Sequence, residues 1–426
     1  MLTVHNVNKL RGTCRVPGDK SISHRAVMLA GISEGQTTIN GFLKGEDCLS
    51  TIRCFEQMGV RIREENNQLV VTGNGLYGLK EPEDVLDAGN SGTTMRLMAG
   101  ILSGQAFHTV ITGDESLRKR PMKRIAAPLR EMGASIDGRM EGTKAPLAIR
   151  GSKLKGIRYK MPVASAQIKS AILLAGLYAE EKTSVIEPRA SRDHTERMLE
   201  SFGVSVKSDG LTKTVQPGKL KGTHIEVPGD ISSAAFLLVA AACLKGSDVT
   251  LENVGINPTR AGIIEVLQQM GAEISVLNQR EVGGEPIADL NVKGTSLKAV
   301  DIGEDLIPSL IDEVPVLAIA AACARGKTSI TGAAELRVKE TDRISAMAEE
   351  LKNIGVEVTT LEDGMVISGP QPIKGGKTNS HGDHRIAMAM AVAGLMSENP
   401  VEISNETCMA VSFPGFMDVI DSLIDK

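Results

Sequence analysis

One type of helix recurs along this 426-residue sequence and constrains its fold more than any other feature. Each copy has apolar residues at three- and four-residue spacing, which predicts an amphipathic helix, and each ends in a glycine before a short apolar segment. Such a glycine predicts a left-handed helix cap followed by a strand. The final segment, MDVIDSLIDK, is predicted to be a sixth, truncated copy. The five glycines are Gly59, Gly133, Gly203, Gly271 and Gly355, spaced 74, 70, 68 and 84 residues apart.

A second type of helix, rich in Ala, Leu and Met, alternates with the first and is apolar on nearly every side. A helix without a polar face must be buried. Short β-branched segments such as TTIN and HTVIT follow several copies and predict strands. Each repeat therefore holds a buried helix, strands and an outer amphipathic helix, which predicts an α/β fold. The six buried helices begin KSISHRAV, NSGTTMRL, SAQIKSAI, ISSAAFLL, DEVPVLAI and DHRIAMAM.

Six repeats divide naturally into three plus three, and the chain is long enough for two domains of about 200 residues. The tetrapeptide VPGD occurs at Val16–Asp19 and again at Val227–Asp230, where the fourth repeat begins. We expect one domain formed by residues 1–18 and 231–426 and an inserted domain of residues 19–230. The crossings are expected near Asp19 and Asp230. A tandem solenoid, the alternative, would normally show a shorter and stricter period.

Composition excludes several classes of function. The six cysteines form no CxxC pair and the seven histidines no HExxH motif, which favours reduced thiols and no built-in metal. Aromatic residues make up 2% of the chain and its net charge is −4, which argues against nucleic-acid binding. No apolar run approaches the roughly 20 residues that span a bilayer, and no secretory signal is evident. We expect a cytoplasmic protein without a membrane or nucleic-acid partner.

Charged groups collect at the starts of the buried helices. The first opens with GDKSISHR, where Asp19 or Ser21 can cap the helix and Lys20 and Arg25 add positive charge. A capped helix with solvated charges is the alternative interpretation. The corresponding segment of the fourth repeat, ISSAAFLL, has the same helix pattern without any charge. The charges therefore indicate an anion site rather than a requirement of the fold.

The second and third repeats add further candidates. Gly92 in GNSGTTMRL either lets a ligand approach the backbone or merely eases entry into the helix. Five basic residues lie among the seven from Arg118 to Arg124, and Pro121 places them in a loop. One arginine of this loop is expected to point into a site, and composition does not identify it. SAQIKS, starting at Ser165, offers hydroxyl, amide and ammonium groups for phosphates and hydroxyls, whereas SRDHTER could be catalytic or a helix cap.

The second half of the chain carries the carboxylates. Asp312 and Glu313 precede a buried helix, and a shielded carboxylate there can serve as a general acid or base. LRVKETDR offers Lys339, Glu340 and Arg343, with Lys339 and Arg343 on one face if that segment is helical. DHR adds a further arginine, Arg385. Together these groups predict a site for a small substrate with several negative charges.

PGDKSISHR, GNSGTTMRL, KRP, SAQIK, LRVKETDR and DHR occur in this order. In these motifs the chain resembles the 5-enolpyruvylshikimate-3-phosphate synthases along essentially its whole length. The resemblance implies a two-domain inside-out α/β barrel with six βαβαββ repeats, three per domain. It also implies transfer of the enolpyruvyl group of phosphoenolpyruvate to the 5-hydroxyl of shikimate 3-phosphate. The resemblance further implies that phosphate leaves through a tetrahedral intermediate, that no cofactor or metal takes part, and that the reaction serves aromatic amino acid biosynthesis.

The resemblance also assigns roles to individual residues. The catalytic residues it implies are Lys20, Asp312 and Glu340. Shikimate 3-phosphate would bind to Lys20, Ser21, Arg25, Ser165, Gln167, Asp312 and Lys339. Phosphoenolpyruvate would bind to Lys20, Gly92, Arg120, Gln167, Arg343 and Arg385.

The chain departs from some members of that family at Ala166, where one branch has a second serine, and at Val411, where some have a lysine. SAQIK, SRDHTE and NPTR are similar to the class often tolerant of glyphosate. The sister enzyme acting on UDP-N-acetylglucosamine is the alternative, but it typically opens with a KN pair and carries a cysteine in its arginine-bearing loop. Neither feature is present here. A protein without enzymatic activity that binds anions or RNA through its repeats is the alternative outside the enzymes. We expect instead a monomeric enzyme with small-molecule substrates.

Overall fold

A computed structural model of the chain describes residues 1–424, so Asp425 and Lys426 of the predicted sixth copy lie outside the described residues. Contacts between residues divide the chain into two compact units. The terminal unit comprises Met1–Pro17, Pro228–Glu281 and Pro286–Lys426, and the inserted unit comprises Gly18–Val227 and Val282–Glu285. The segment Val282–Glu285 was expected to belong, with the rest of residues 231–426, to the domain that contains both termini. It groups with the inserted unit because Arg197 donates a hydrogen bond to the carbonyl oxygen of Gly284 at 2.7 Å.

The strands are short and evenly distributed over both units. They are β1 (Leu2–Val4), β2 (Arg11–Arg15), β3 (Glu34–Asn40), β4 (Arg61–Glu65), β5 (Gln68–Asn74), β6 (Leu86–Asp87), β7 (His108–Thr112), β8 (Ser135–Gly138), β9 (Leu147–Arg150), β10 (Arg158–Lys160), β11 (Thr183–Ile186), β12 (Val206–Asp209), β13 (Thr212–Val215), β14 (His224–Glu226), β15 (Asp248–Gly255), β16 (Glu273–Val282), β17 (Glu285–Lys293), β18 (Asp301–Ile302), β19 (Gly326–Ile330), β20 (Val358–Leu361), β21 (Gly364–Gly369), β22 (Gly376–Asn379) and β23 (Val401–Ser404).

The helices have at most 13 residues, and none among residues 1–424 has the length and apolar character needed to cross a membrane. Within α6, Met140 and Glu141 have left-handed backbone angles. Short 3-10 turns cover Ile311–Glu313, Ala334–Val338 and Glu406–Val411. The helices are α1 (Lys20–Gly31), α2 (Glu46–Gln57), α3 (Gly92–Leu102), α4 (Glu115–Lys119), α5 (Lys123–Glu131), α6 (Arg139–Gly142), α7 (Ala166–Gly176), α8 (His194–Ser201), α9 (Ile231–Cys243), α10 (Gly262–Gln269), α11 (Ile307–Leu310), α12 (Val314–Cys323), α13 (Arg343–Asn353), α14 (His384–Gly394) and α15 (Phe416–Leu423).

Six small sheets repeat one pattern, three in each unit. In every sheet, one strand pairs in parallel with one neighbour and antiparallel with the other. The inserted unit has the strand orders β14-β3-β5-β4, β6-β7-β9-β8 and β10-β11-β13-β12. The terminal unit has β2-β15-β17-β16, β18-β19-β21-β20 and β22-β23-β1. This arrangement confirms the α/β class and the repeat number.

The apolar helices form the cores, as predicted. α1, α3 and α7 are largely buried in the inserted unit, and α9, α12 and α14 in the terminal unit. Within the terminal unit these three helices contact one another pairwise. Each unit has its own cluster of buried apolar side chains.

The five glycines that end the outer helices all have left-handed backbone angles, which confirms the predicted caps. Their φ values are 82° for Gly59, 108° for Gly133, 90° for Gly203, 92° for Gly271 and 86° for Gly355. A residue with a Cβ would be strained at each of these positions.

The repeated VPGD has a structural reason. The carboxylate of Asp19 accepts a hydrogen bond from the backbone N–H of Ile22 at 2.9 Å and caps α1. Asp230 caps α9 in the same manner, accepting from the N–H of Ser232 at 2.8 Å. The tetrapeptide therefore begins a buried helix in both units, whatever charges follow it.

Candidate active site

Charged and polar side chains of the inserted unit lie near the first turns of α1, α3 and α7. We call this group the inserted cluster; it comprises Lys20, Arg25, Arg96, Arg120, Ser165 and Gln167. Lys20 occupies the first position of α1, and its Nζ lies 3.2 Å from Oδ2 of Asp47. A cation at a helix N-terminus adds to the positive end of the helix dipole. This end of α1 therefore attracts anions, and Asp47 supplies one within the protein.

Arg25 lies one turn further along α1 and is buried. Its Nε donates to the hydroxyl of Thr195 at 2.7 Å, and its other nitrogens donate to Ser170 Oγ at 2.8 Å and to the carbonyl oxygen of Ser21 at 2.9 Å. Burial lowers the pKa of the Arg25 guanidinium to about 10, which still leaves it charged at neutral pH. Polar contacts from three segments of the chain thus fix the orientation of this cation.

Arg120 is the buried member of the basic loop, a selection that composition could not make. One of its terminal nitrogens donates to Asn90 Oδ1 at 2.6 Å and to Ser116 Oγ at 3.2 Å. A Cβ on Gly92 would lie 3.4 Å from Arg120 and 2.9 Å from Arg96, in each case from the terminal nitrogen NH1. The missing side chain at Gly92 therefore leaves room for two guanidinium groups.

Gln167 joins α7 to α3. Its Oε1 accepts a hydrogen bond from Arg96 at 2.6 Å, and its Nε2 donates to Thr93 at 3.0 Å. Ser165 caps α7 by accepting from the N–H of Ile168 at 3.5 Å. Arg96 is a cluster member that the sequence analysis missed, although its motif, GNSGTTMRL, was singled out.

Lys169 corrects the expectation that the SAQIKS ammonium group binds substrate. Its side chain is fully buried, and its Nζ lies 2.7 Å from Glu196 and 3.0 Å from Glu187. Burial raises the pKa of Glu196, and the nearby ammonium of Lys169 opposes that shift. This lysine therefore links α7 to α8 inside the unit. The segment SRDHTER therefore serves two contacts. Its Glu196 binds Lys169, and its Thr195 helps to orient Arg25.

A second group of charged side chains lies in the terminal unit, around the turn before α12. We call this group the terminal cluster; it comprises Asp312, Lys339, Glu340, Arg343, Asp383 and Arg385. Asp312 is buried in the 3-10 turn Ile311–Glu313. Its carboxylate lies 3.1 Å from Arg343 NH1, 3.5 Å from Lys339 Nζ and 3.8 Å from Arg385 NH2. One carboxylate is thus surrounded by three cations.

Arg343 is almost completely buried and contacts three carboxylates. Besides Asp312, it binds Asp383 through Nε at 2.7 Å and through NH2 at 3.3 Å, and it binds Glu340 at 2.6 Å. Burial acts to lower the pKa of its guanidinium, but the carboxylates of Asp383, Glu340 and Asp312 outweigh burial and raise it. Asp383, part of the DHR motif, was not predicted as a site residue.

The helical interpretation of LRVKETDR is wrong. A 3-10 turn ends at Val338, and α13 begins at Arg343, where Asp342 caps it by accepting from the N–H of Ser345. The spacing of Lys339 and Arg343 on a helix therefore does not bring them together. Their approach to Asp312 depends instead on the loop between the two elements.

A buried network continues from this cluster towards α9. Arg385 NH1 lies 3.9 Å from Glu313 Oε1, which accepts a hydrogen bond from the hydroxyl of Ser232. Arg260 donates to Ser232 at 2.6 Å and to Asp230, the cap of α9, at 3.1 Å. Arg260 in NPTR is another functional candidate that the sequence analysis did not assign.

The two clusters suit phosphate and carboxylate chemistry. Guanidinium and ammonium groups near helix N-termini bind anionic oxygens, and the carboxylates among them can move protons. Among residues 1–424, one group of side chains, Glu349, Glu350 and His381, could hold a metal ion, and it contains no member of either cluster.

A protein-family model described as EPSP synthase (3-phosphoshikimate 1-carboxyvinyltransferase) matches residues 4–420. The chain belongs to the EPSP synthase family. It is 55% identical to the 3-phosphoshikimate 1-carboxyvinyltransferase of Alkaliphilus metalliredigens over 424 residues, covering 100% of both chains. It is 56% identical to that of Geobacillus kaustophilus over 422 residues, covering 98% of this chain and 99% of the other.

Solved structures agree with this assignment. EPSP synthase from Acinetobacter baumannii is 52% identical and superposes with a TM-score of 0.88, covering 99% of this chain and 97% of the other. The enolpyruvyl transferase NikO from Streptomyces tendae is 15% identical, with a TM-score of 0.79 over 99% of this chain and 96% of the other, and so shares the fold. The predicted enolpyruvyl transferase fold, EPSP synthase family and 3-phosphoshikimate 1-carboxyvinyltransferase activity are confirmed. The UDP-N-acetylglucosamine alternative is not favoured.

Proposed function

We propose that the residues of the two clusters carry out the transfer of the enolpyruvyl group from phosphoenolpyruvate to shikimate 3-phosphate. The observation that carries the proposal is the surroundings of Asp312, whose carboxylate lies within 3.8 Å of Lys339, Arg343 and Arg385. An enzyme that removes a proton from a hydroxyl beside two anionic substrates needs a carboxylate and several cations in one place.

Shikimate 3-phosphate is assigned to the start of α1 and its neighbours. Free N–H groups at a helix N-terminus favour a phosphate, and Lys20 adds charge there. Arg25 supports this assignment because its contacts with Thr195 and Ser170 fix its orientation before any ligand binds. The full set proposed for this substrate is Lys20, Ser21, Arg25, Ser165, Gln167, Asp312 and Lys339.

Phosphoenolpyruvate is assigned to the arginines. A guanidinium group binds phosphate or carboxylate oxygens in pairs. A partly buried hydrogen bond to Asn90 holds Arg120 in place, and a buried one to Asp383 holds Arg343. The missing side chain at Gly92 lets the guanidinium groups of Arg96 and Arg120 lie close to the start of α3, where they can meet an anionic substrate. The full set proposed for this substrate is Lys20, Gly92, Arg120, Gln167, Arg343 and Arg385.

The proposed proton transfers involve three residues. Asp312 takes the proton of the 5-hydroxyl while that oxygen forms a bond to C2 of phosphoenolpyruvate. Glu340 gives a proton to the C3 methylene, which completes the tetrahedral intermediate. The bond from C2 to the phosphate oxygen then breaks, C3 returns a proton to the Glu340 carboxylate and the double bond forms again. The departing inorganic phosphate takes up the proton that Asp312 accepted, and Lys20 shares in this transfer.

The experiment that tests this proposal is phosphate release by Asp312→Asn and Glu340→Gln. We expect kcat to fall by about 10² to 10⁴, because a general acid or base contributes that much. The dissociation constant for shikimate 3-phosphate, measured by calorimetry, should change less than about tenfold. The control is Asp301→Asn, an exposed position in β18. Near-normal turnover of both variants would remove the two residues from the mechanism.

The acceptor is tested in parallel. The unmodified protein is assayed with phosphoenolpyruvate and either shikimate 3-phosphate or UDP-N-acetylglucosamine. Phosphate release with shikimate 3-phosphate alone is the expected result. Release with the nucleotide sugar alone would overturn the acceptor and leave the fold unchanged.

We further propose that the chain acts as a monomer in the cytoplasm. All six cysteines are free thiols, which suits a reducing compartment. Light scattering during size-exclusion chromatography should give the mass of one chain; a mass of two chains or more would contradict the proposal.

A further inference from the structure

The two-residue turn between β16 and β17 contacts α8. The turn consists of Gly283 and Gly284, whose φ values of 60° and 79° are both left-handed. Two such glycines join adjacent strands in a tight turn, and β16 and β17 are neighbours in one sheet. The turn and its flanking residues, Val282–Glu285, belong to the inserted unit. Their contacts with α8 are therefore contacts within that unit.

Two carbonyl oxygens of the turn accept hydrogen bonds from one face of α8. Arg197 donates through NH1 to the carbonyl oxygen of Gly284 at 2.7 Å, and the hydroxyl of Ser201 donates to that of Gly283 at 3.1 Å. His194, the first residue of α8, precedes Arg197 by three positions and lies on the same face. The turn thus lies along one face of α8, next to the first residue of that helix.

Glu285, the residue after the turn, binds the first residue of α8. Its Oε1 lies 2.7 Å from Nδ1 of His194, and both residues are buried, with 3% and 2% of their surface exposed. A carboxylate can only accept, so Nδ1 donates this hydrogen bond. The side chain of Asp193, the residue before α8, forms no capping hydrogen bond and pairs with Arg197 instead. The contact with Glu285 therefore holds the first turn of α8 in place.

The second residue of α8, Thr195, orients Arg25. Its hydroxyl accepts a hydrogen bond from Arg25 Nε at 2.7 Å and lies 2.6 Å from Oγ of Ser170. Because His194 and Thr195 are consecutive in one helix, their side chains point about 100° apart around the helix axis. One of them contacts Glu285 while the other contacts Arg25. A shift of the first turn of α8 would therefore move the support of Arg25.

We propose that Glu285 is a positioning residue for the binding of the phosphate group of shikimate 3-phosphate. It acts through His194, which fixes the first turn of α8, and through Thr195, which orients the guanidinium group of Arg25. This inference rests on the proposed binding of shikimate 3-phosphate by Arg25. A guanidinium group binds two phosphate oxygens at once only in a suitable orientation, so a support that fixes the orientation before binding raises the affinity. Glu285 itself contacts no substrate in this role.

The test measures the dissociation constant for shikimate 3-phosphate by calorimetry, together with steady-state kinetics, in the whole protein. In Glu285→Ala we expect the dissociation constant to rise by about 10- to 100-fold, because a misplaced guanidinium group loses contact with the phosphate. The value of kcat should change by less than about threefold. Glu285→Gln should bind within about threefold of the unmodified protein, since its amide oxygen can still accept from Nδ1. The matched control is Glu226→Ala, which removes another 2.7 Å contact between a glutamate and a histidine, His224, and should bind normally.

A double variant tests the route through α8. If Glu285 acts through Thr195, Glu285→Ala should weaken binding by less than about threefold when Thr195→Val is already present, because the support of Arg25 is then already lost. Equal effects of Glu285→Ala with and without Thr195→Val would overturn this route. Glu285→Asp, whose shorter side chain loses the contact with His194, serves in both measurements if the alanine variant does not fold.

The variant Arg25→Gln separates this inference from the proposed function on which it rests. We expect it to bind shikimate 3-phosphate more weakly than the unmodified protein. Weaker binding by Arg25→Gln together with unchanged binding by Glu285→Ala would overturn the positioning role and leave the role of Arg25 intact. Unchanged binding by Arg25→Gln would overturn the role of Arg25 and the positioning role with it.

Discussion

Arg343 and Asp312 form a buried ion pair, with 3.1 Å between NH1 of the arginine and Oδ1 of the aspartate. The same guanidinium also binds Glu340 and Asp383. Arg343 therefore positions two carboxylates assigned to proton transfer, Asp312 and Glu340, as well as carrying charge. A compact ammonium group could not make all these contacts at once.

The first prediction concerns the substitution Arg343→Lys. We expect a loss of about 1–3 kcal/mol in the free energy of unfolding, because buried carboxylates lose partners. The value of kcat/KM for phosphoenolpyruvate should fall at least about tenfold. Urea unfolding and steady-state kinetics measure the two effects. The control is Arg15→Lys, whose exposed pair with Glu252 at 2.9 Å should be worth at most about 1 kcal/mol. Equal effects in both variants would contradict the prediction.

The second prediction concerns Gly92→Ala. The new Cβ would lie 2.9 Å from Arg96 NH1, so Arg96 must move, and its 2.6 Å hydrogen bond to Gln167 is disturbed. We expect KM for phosphoenolpyruvate to rise several-fold with little loss of stability, since removal of a glycine restricts the unfolded chain. Kinetics at saturating shikimate 3-phosphate measure this change. Gly303→Ala, where a Cβ meets nothing within 4 Å, is the control. An unchanged KM would show that Gly92 merely eases entry into the helix.

The third prediction concerns Thr195→Val. The substitution removes the hydroxyl that accepts from Arg25 Nε at 2.7 Å and contacts Ser170 at 2.6 Å. We expect KM for shikimate 3-phosphate to rise while kcat changes less, because the orientation of Arg25 is lost rather than its charge. Thr195→Ser keeps the hydroxyl and should restore KM. Thr214→Val, which breaks the 2.8 Å hydroxyl pair with Ser184, is the control. A Ser variant as impaired as the Val variant would argue against the positioning role.

The fourth prediction concerns pH and His24. Burial lowers the pKa of this histidine well below 6.5, and the charges of Lys20 and Arg25 lower it further. The folded protein therefore keeps His24 neutral, whereas the unfolded chain binds a proton below about pH 6.5. Because the unfolded state then binds more protons, stability falls as the pH drops below 6.5, by at most about 1.4 kcal/mol per pH unit from this group.

The measurement for His24 is urea unfolding at pH 7.5, 6.5 and 5.5 for the unmodified protein and for His24→Gln. The side chain of glutamine does not titrate, so the difference in stability between the two proteins should shrink as the pH falls. Other groups titrate in both proteins and cancel in that difference. A difference independent of pH would contradict the prediction.

Local patterns were sufficient for the repeat architecture. The spacing of apolar residues predicted both helix types, because a helix brings residues three and four apart to one face whatever surrounds it. Glycines such as Gly59 and Gly355 marked helix ends because only glycine adopts φ values of 82° and 86° without strain. The positions of charged motifs relative to these helices followed from the same local rules.

Contacts between distant segments decided the rest. Nothing in the run from Arg118 to Arg124 distinguishes Arg120, which is selected by Asn90, a residue 30 positions away. Lys169 was expected to face a ligand, but Glu187 and Glu196 hold it inside the unit. Hydrogen bonds and ion pairs depend on distances in space, and sequence spacing does not determine those distances across loops. The sequence by itself determined the helices, their caps and the six repeats, whereas only the tertiary structure decided which charged side chain contacts which.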